Sequence, residues 1–199
     1  FFRSFTCDFS VIFWDFSSNF RFFNTGIFMK TILLFGAGKS ATVLIDYLTK
    51  NAAAENWKII VADADLQLAE SKIGGSPYAT AVAFDIKSQA EREKYIRKAD
   101  IVISLLPPFL HILVAKDCIK HHKNLLTASY LDEDTRSLQP EIEKNNLLFI
   151  YEMGLDPGID HMSAMKLIDE IRDNGGQITS FISHCGGLVA PESDDNPWH

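Results

Sequence analysis

The stretch Gly36-Ala37-Gly38-Lys39-Ser40-Ala41 sets two glycines, a lysine and a serine directly after an apolar run, a composition suited to gripping phosphate oxygens. Two templates compete for it. Gly38-Lys39-Ser40 matches the tail of a nucleoside-triphosphate loop, but that loop needs another glycine five residues before Gly38, where it first bends around the phosphates. Leu33 stands there, inside the apolar run, and the template fails. The dinucleotide pattern GxGxx[GA] fits throughout. Gly36 makes the tight turn, Gly38 lets the backbone approach a pyrophosphate, and Ala41 is small enough for the next helix to pack on the strand. Lys39 and Ser40 are helix-start residues that add phosphate contacts, and the amides of that first turn favour negative charge.

Asp63 closes the next apolar run, 27 residues after Gly36. A carboxylate at that place in a dinucleotide fold accepts hydrogen bonds from the adenosine ribose; the plainer alternative is an ordinary turn aspartate. Its charge repels a 2′-phosphate and Ala64-Asp65 offers no arginine to offset it, so NAD(H) is the favoured cofactor and NADP(H) the alternative. Asp85, after the third run, is a candidate adenine-edge contact or, equally, a helix cap. "SLLPPFLH" brings the backbone of Leu105, Leu106 and Pro107 toward the expected nicotinamide position, with His111 one turn into the following helix as a substrate-side group or a packed helix residue. Asp156, Asp160 and His161 share one short loop and could supply acid–base or substrate-binding groups, unless Asp156-Pro157-Gly158 is only a turn.

The elements that must position these residues are regular. Apolar runs at 31–35, 57–63, 79–85, 100–107, 124–129 and 147–154 alternate with helical patterns at 39–51, 66–72, 88–99, 109–121 and 133–145. Ala41, Leu44, Ile45 and Leu48 share one face of the first helix, Asn51 lies near its stop, and Pro140 interrupts the last. Short apolar strands alternating with helices imply an α/β, doubly wound parallel sheet. The dinucleotide-binding domain is expected over 29–153. A second α/β substrate domain begins at 154–199, with a helix over 161–173 and a strand over 177–187, and it looks incomplete.

Bulk properties narrow the class. A net charge of −7 argues against a nucleic-acid or anionic-membrane surface. Three cysteines (Cys7, Cys118, Cys185) with no CxxC pair favour a reducing, cytoplasmic setting. His121-His122 and His184-Cys185 lack ligand spacing, so no metal is expected. Residues 1–28 hold ten of the fifteen phenylalanines, show no periodicity, and are broken by Arg3, Asp8, Asp15 and Arg21. They read as neither signal peptide nor membrane span, but as a non-native or disordered extension ahead of Met29.

"GAGKSA", "SLLPPFLH", "TASYLDED", "YEMGLDPGIDH" and "SHCGGLVAPESDDNPW" together resemble the saccharopine dehydrogenase family, of the glutamate-forming type, across 29–199. The resemblance implies a Rossmann-like domain and an oxidoreductase of lysine metabolism acting on a carbon–nitrogen bond, with a small amino-acid substrate. Saccharopine is oxidised at its secondary amine carbon by a nicotinamide cofactor, and the imine is hydrolysed to glutamate and 2-aminoadipate 6-semialdehyde. Carried over by motif, Tyr130, Asp156, Gly158, Asp160 and His161 border the substrate cleft, and Cys185-Gly186-Gly187 adds a close backbone approach. Pro108 stands where some members carry an aromatic residue, and Val189 replaces the proline of the usual CGGLPAPE run. Family members are longer, so this chain is expected to bind cofactor without turning over saccharopine; a homodimer is an expectation for the full-length protein only. The competing expectations are a carboxynorspermidine-type imine dehydrogenase and a non-catalytic dinucleotide-binding module.

Overall fold

The computed structural model describes residues 29–184. Six strands form one sheet: β1 (Lys30–Phe35), β2 (Trp57–Asp63), β3 (Ala79–Ala83), β4 (Ile101–Ser104), β5 (Asn124–Thr127) and β6 (Phe149–Ile150). Every pairing is parallel and the order is β3-β2-β1-β4-β5-β6. The order reverses between β1 and β4, which opens a crevice at their carboxyl ends where doubly wound sheets take ligands. Helices α1 (Thr42–Glu55), α2 (Leu66–Ile73), α3 (Gln89–Ile96) and α4 (His111–Lys120) make the crossovers. Two short helices, α5 (Glu133–Arg136) and α6 (Gln139–Lys144), precede β6, and α7 (Ile159–Asp173) follows it.

Side-chain alternation along β1 explains why both faces are covered. Ile32 and Leu34 pack with Ala41, Ile45, Leu48 and Ala52 on the α1 side. Leu33 and Phe35 pack with Ile96, Val114, Ala115 and Cys118 on the α3–α4 side. The expected apolar face of the first helix therefore lies on the sheet, with Leu44 partly buried beside it.

Several boundaries differ from expectation, each for a local reason. α1 passes Asn51 and stops at Asn56, whose left-handed backbone (φ 55°, ψ 47°) returns its N–H to Ala52. Ser88, rather than Asp85, caps α3. Pro140 lies in the first turn of α6 instead of interrupting a helix, because a proline there forfeits no hydrogen bond. β6 has only two residues, pairing with Leu125 and Leu126. No strand forms over 177–184, which is irregular; the rest of that expected strand and residues 1–28 lie outside the described residues. Among the described residues no helix is long and apolar enough to cross a membrane.

Candidate functional site

β1 delivers the chain to Gly36 at the mouth of the crevice. Gly36 has φ 96°, and a Cβ there would stand 2.7 Å from the Leu105 carbonyl oxygen, so the β1 turn and the β4 exit touch through a position only glycine fits. Ala37 and Ala41 are fully buried, and Lys39–Ala41 form a 3-10 turn leading into α1. Gly38 is different. A Cβ there would meet nothing within 4 Å, which leaves the front of the loop open to a group pressed against its backbone. The residues present thus fit a pyrophosphate: a glycine with clear space, exposed Lys39 and Ser40, and a helix start.

Asp63 is tied into this loop. Its Oδ2 accepts the Ala37 N–H at 2.6 Å and its Oδ1 accepts the Asp65 N–H at 2.9 Å. The acid expected at the ribose therefore also braces the glycine turn across β2. Lys72, which sequence reasoning missed, reaches from α2 to donate to Thr42 Oγ1 at 2.5 Å and brings a cation to the first residue of α1. Thirty positions separate those two residues, and no local pattern announces the contact. Asp85 lies beside a recess lined with Ala64, Ala83, Phe84 and Glu91, next to the end of β2.

Across the crevice, Leu105 hydrogen-bonds back to the Phe35 carbonyl at 2.8 Å, and Leu106 and Pro107 lead into a 3-10 turn at Pro108–Leu110. His111 is 2% exposed, and its Nδ1 and Nε2 share hydrogen bonds with Ser104 Oγ (2.8 Å) and Ser129 Oγ (2.7 Å). Of the two roles expected of it, substrate-side group or packed helix residue, burial and the hydroxyls on both nitrogens favour the second. Burial lowers its pKa against an opposing pull from Asp132, which favours the neutral ring.

Beyond the ends of β5 and β6, Tyr130 and the turn at 151–158 that leads into α7 come together. The Tyr130 hydroxyl donates to Asp156 Oδ1 at 2.7 Å. Gly158, at φ 148°, caps α7, and Gly154 and Gly158 pair as an isolated bridge, so the LDPG segment folds back on itself. Asp160 Oδ1 accepts the Gly158 N–H (2.9 Å) and His161 Nδ1 (2.7 Å). Burial pushes the Asp160 carboxyl up, but hydrogen bonds from the His161 side chain and backbone and from Gly158 outweigh it, leaving it below the usual range. Asp160 thereby ties His161 to the start of α7. Ligand atoms of Asp156, Asp160 and His161 lie within 4.8 Å of one another, a compact polar cluster. Cys185, Gly186 and Gly187 lie outside the described residues.

The saccharopine dehydrogenase NADP binding domain matches residues 32–150, and the saccharopine dehydrogenase C-terminal domain matches 154–199. A Schizosaccharomyces pombe protein named saccharopine dehydrogenase [NADP(+), L-glutamate-forming] is 41% identical over 169 residues, covering 85% of this chain and 37% of that protein. An Arabidopsis thaliana alpha-aminoadipic semialdehyde synthase is 36% identical over 183 residues, covering 83% of this chain and 17% of its own length. The apo structure of the glutamate-forming saccharopine dehydrogenase from Saccharomyces cerevisiae superposes with a TM-score of 0.72 at 39% identity, over 84% of this chain and 37% of that one. The chain therefore spans little more than a third of the first relative's length. A parallel sheet whose first strand opens into a glycine loop, followed by the LDPGIDH turn and matched by both domain descriptions, places the chain in the saccharopine dehydrogenase family.

Proposed function

We propose that this chain forms the nicotinamide-dinucleotide side of an oxidoreductase that interconverts saccharopine with glutamate and 2-aminoadipate 6-semialdehyde. The observation that carries the reading is the Gly36–Gly38 loop, braced by Asp63 and open in front of Gly38. The relatives' names supply the substrate. A nicotinamide held there would supply the hydride acceptor for oxidation of the secondary amine carbon, and hydrolysis of the imine so formed would release the two products. The chain's own residues hold the pyrophosphate at Gly38 and the first turn of α1, and keep the Leu105 carbonyl beside the loop. Tyr130 and Asp156 present a hydrogen-bonded polar pair to a substrate carrying amino and carboxylate groups. The reading is tested by saccharopine-dependent nicotinamide reduction in the full-length enzyme, with glutamate as co-product; reduction without glutamate would contradict it.

On the cofactor, Asp63 and Asp65 put two carboxylates at the sugar end with only Ala64 between them, which favours NAD(H). The second reading, NADP(H), is favoured by the relatives' names and by Lys72 at the head of α1. Asp63→Ala separates them. Losing the brace on Ala37 weakens both cofactors, and losing the ribose acceptor weakens NAD(H) further, by about tenfold for one charge-assisted hydrogen bond. Calorimetric titration with both nucleotides measures the ratio, and equal losses would count against NAD(H).

A further inference from the structure

His111 lies between the two banks of the crevice. Ser104 ends β4 and Thr127 ends β5, and the two are register partners. His111, the first residue of α4, stands over both: Nδ1 meets Ser104 Oγ at 2.8 Å, while Nε2 meets Ser129 Oγ at 2.7 Å with Thr127 Oγ1 at 3.4 Å. Each hydroxyl leads to a different wall. Ser104 precedes Leu105, whose carbonyl touches the Gly36 position and whose N–H is bound by Phe35. Ser129 precedes Tyr130, which donates to Asp156, and the Ser129 carbonyl accepts the Glu152 N–H at 3.0 Å. A hydroxyl both donates and accepts, so a neutral imidazole satisfies both neighbours in either tautomer. Ser104 is fully buried, so its contact with His111 is shielded from solvent. What the geometry provides is a rigid strut.

We propose that His111 is a positioning residue that couples the two walls: through Ser104 it fixes the Leu105 carbonyl against the Gly36 turn, and through Ser129 it fixes the backbone that carries Tyr130. The inference rests on the reading of the Gly36 loop as the dinucleotide side and of Tyr130–Asp156 as the substrate side. Its two arms separate by amide mimicry, because an asparagine side chain places its amide near the Nδ1 position and a glutamine near Nε2. His111→Asn keeps the Ser104 arm and His111→Gln keeps the Ser129 arm.

The experiment compares wild type, both variants, Ser104→Ala and Ser129→Ala by calorimetric titration with NADH and NADPH and by hydrogen exchange across 127–156. Thermal melts establish that each variant is folded. The strut predicts a crossed pattern. His111→Gln and Ser104→Ala lose about tenfold in nucleotide affinity, as one buried hydrogen bond implies, with little change in exchange at Tyr130 and Glu152. His111→Asn and Ser129→Ala lose less affinity but exchange faster at those positions. Parallel losses in both readouts, scaling with melting temperature, would reduce His111 to a core residue and overturn the proposal, as would wild-type behaviour in all four. If His111→Gln does not fold, the two serine variants carry the same test. Absence of nucleotide binding by wild type would instead overturn the cofactor reading, while the exchange arm still decides the strut.

Discussion

Gly158 shows how one residue sets the polar wall. Its φ of 148° and the overlap of any Cβ with the Gly154 carbonyl leave no room for a side chain, while its N–H holds Asp160. Gly158→Ala is expected to destabilise the chain by roughly 1–3 kcal/mol through backbone strain, measured as a lower urea midpoint. An unchanged midpoint would show that the LDPG fold-back is not constrained as described. The glycines were legible in the sequence because their chemistry is local: a tight turn followed by a helix start has a fixed spacing. The double duty of Asp63 and the Ser104–His111–Ser129 contact were not. Their partners lie 26, 7 and 18 positions away, and a serine ending an apolar run announces burial without announcing a partner.

At the scale of elements, α3 and α4 are held by charge as well as by packing. Arg92 Nε and Asp117 Oδ2 pair at 2.7 Å, both almost fully buried, and Arg92 also donates to the Ile86 carbonyl. One step along, Glu93 gathers Lys120 (2.6 Å), Arg97 (2.8 Å) and Gln89 (2.9 Å). Lys120, then Arg97 and Gln89, with a smaller contribution from His121, hold its carboxyl well below its ordinary value of 4.5 against the opposing effect of burial. A carboxyl whose folded value is depressed stabilises the fold above its unfolded value, and that stability drains as pH falls below about 4.5. Glu93→Gln is therefore expected to be less stable than wild type at pH 7, and the gap should narrow toward pH 3. Denaturant titrations at the two pH values check this; a gap that widens in acid would contradict it. The charge-rich sequence of 88–99 conceals that Arg92 and Glu93 turn inward. Strand alternation was easier to read, since Leu33 and Phe35 against Ile32 and Leu34 name both layers at once. The sixth strand forms but is shorter than the apolar run at 147–154, and 177–184 forms none, because apolar content alone does not supply a ladder partner.

Over the whole molecule, the sheet order, the glycine loop and the family match support one reading: a dinucleotide crevice at the β1–β4 reversal, with Tyr130 and Asp156 paired beyond the ends of β5 and β6. α7 buries none of its residues among those described and exposes Ile159, Met162, Met165 and Leu167, so its contribution to the fold here is small. The crevice is where the account stands or falls, and Gly38 is its cleanest probe because a side chain there meets only open space. Calorimetric titration of wild type and Gly38→Val with NADH and NADPH, alongside thermal melts, is the most direct measurement. The account predicts that wild type binds a nicotinamide dinucleotide, and that the variant melts within a few degrees of wild type yet binds at least about tenfold more weakly, as lost backbone contact to a pyrophosphate implies. Equal affinity in the two proteins, or no binding by wild type, would contradict it.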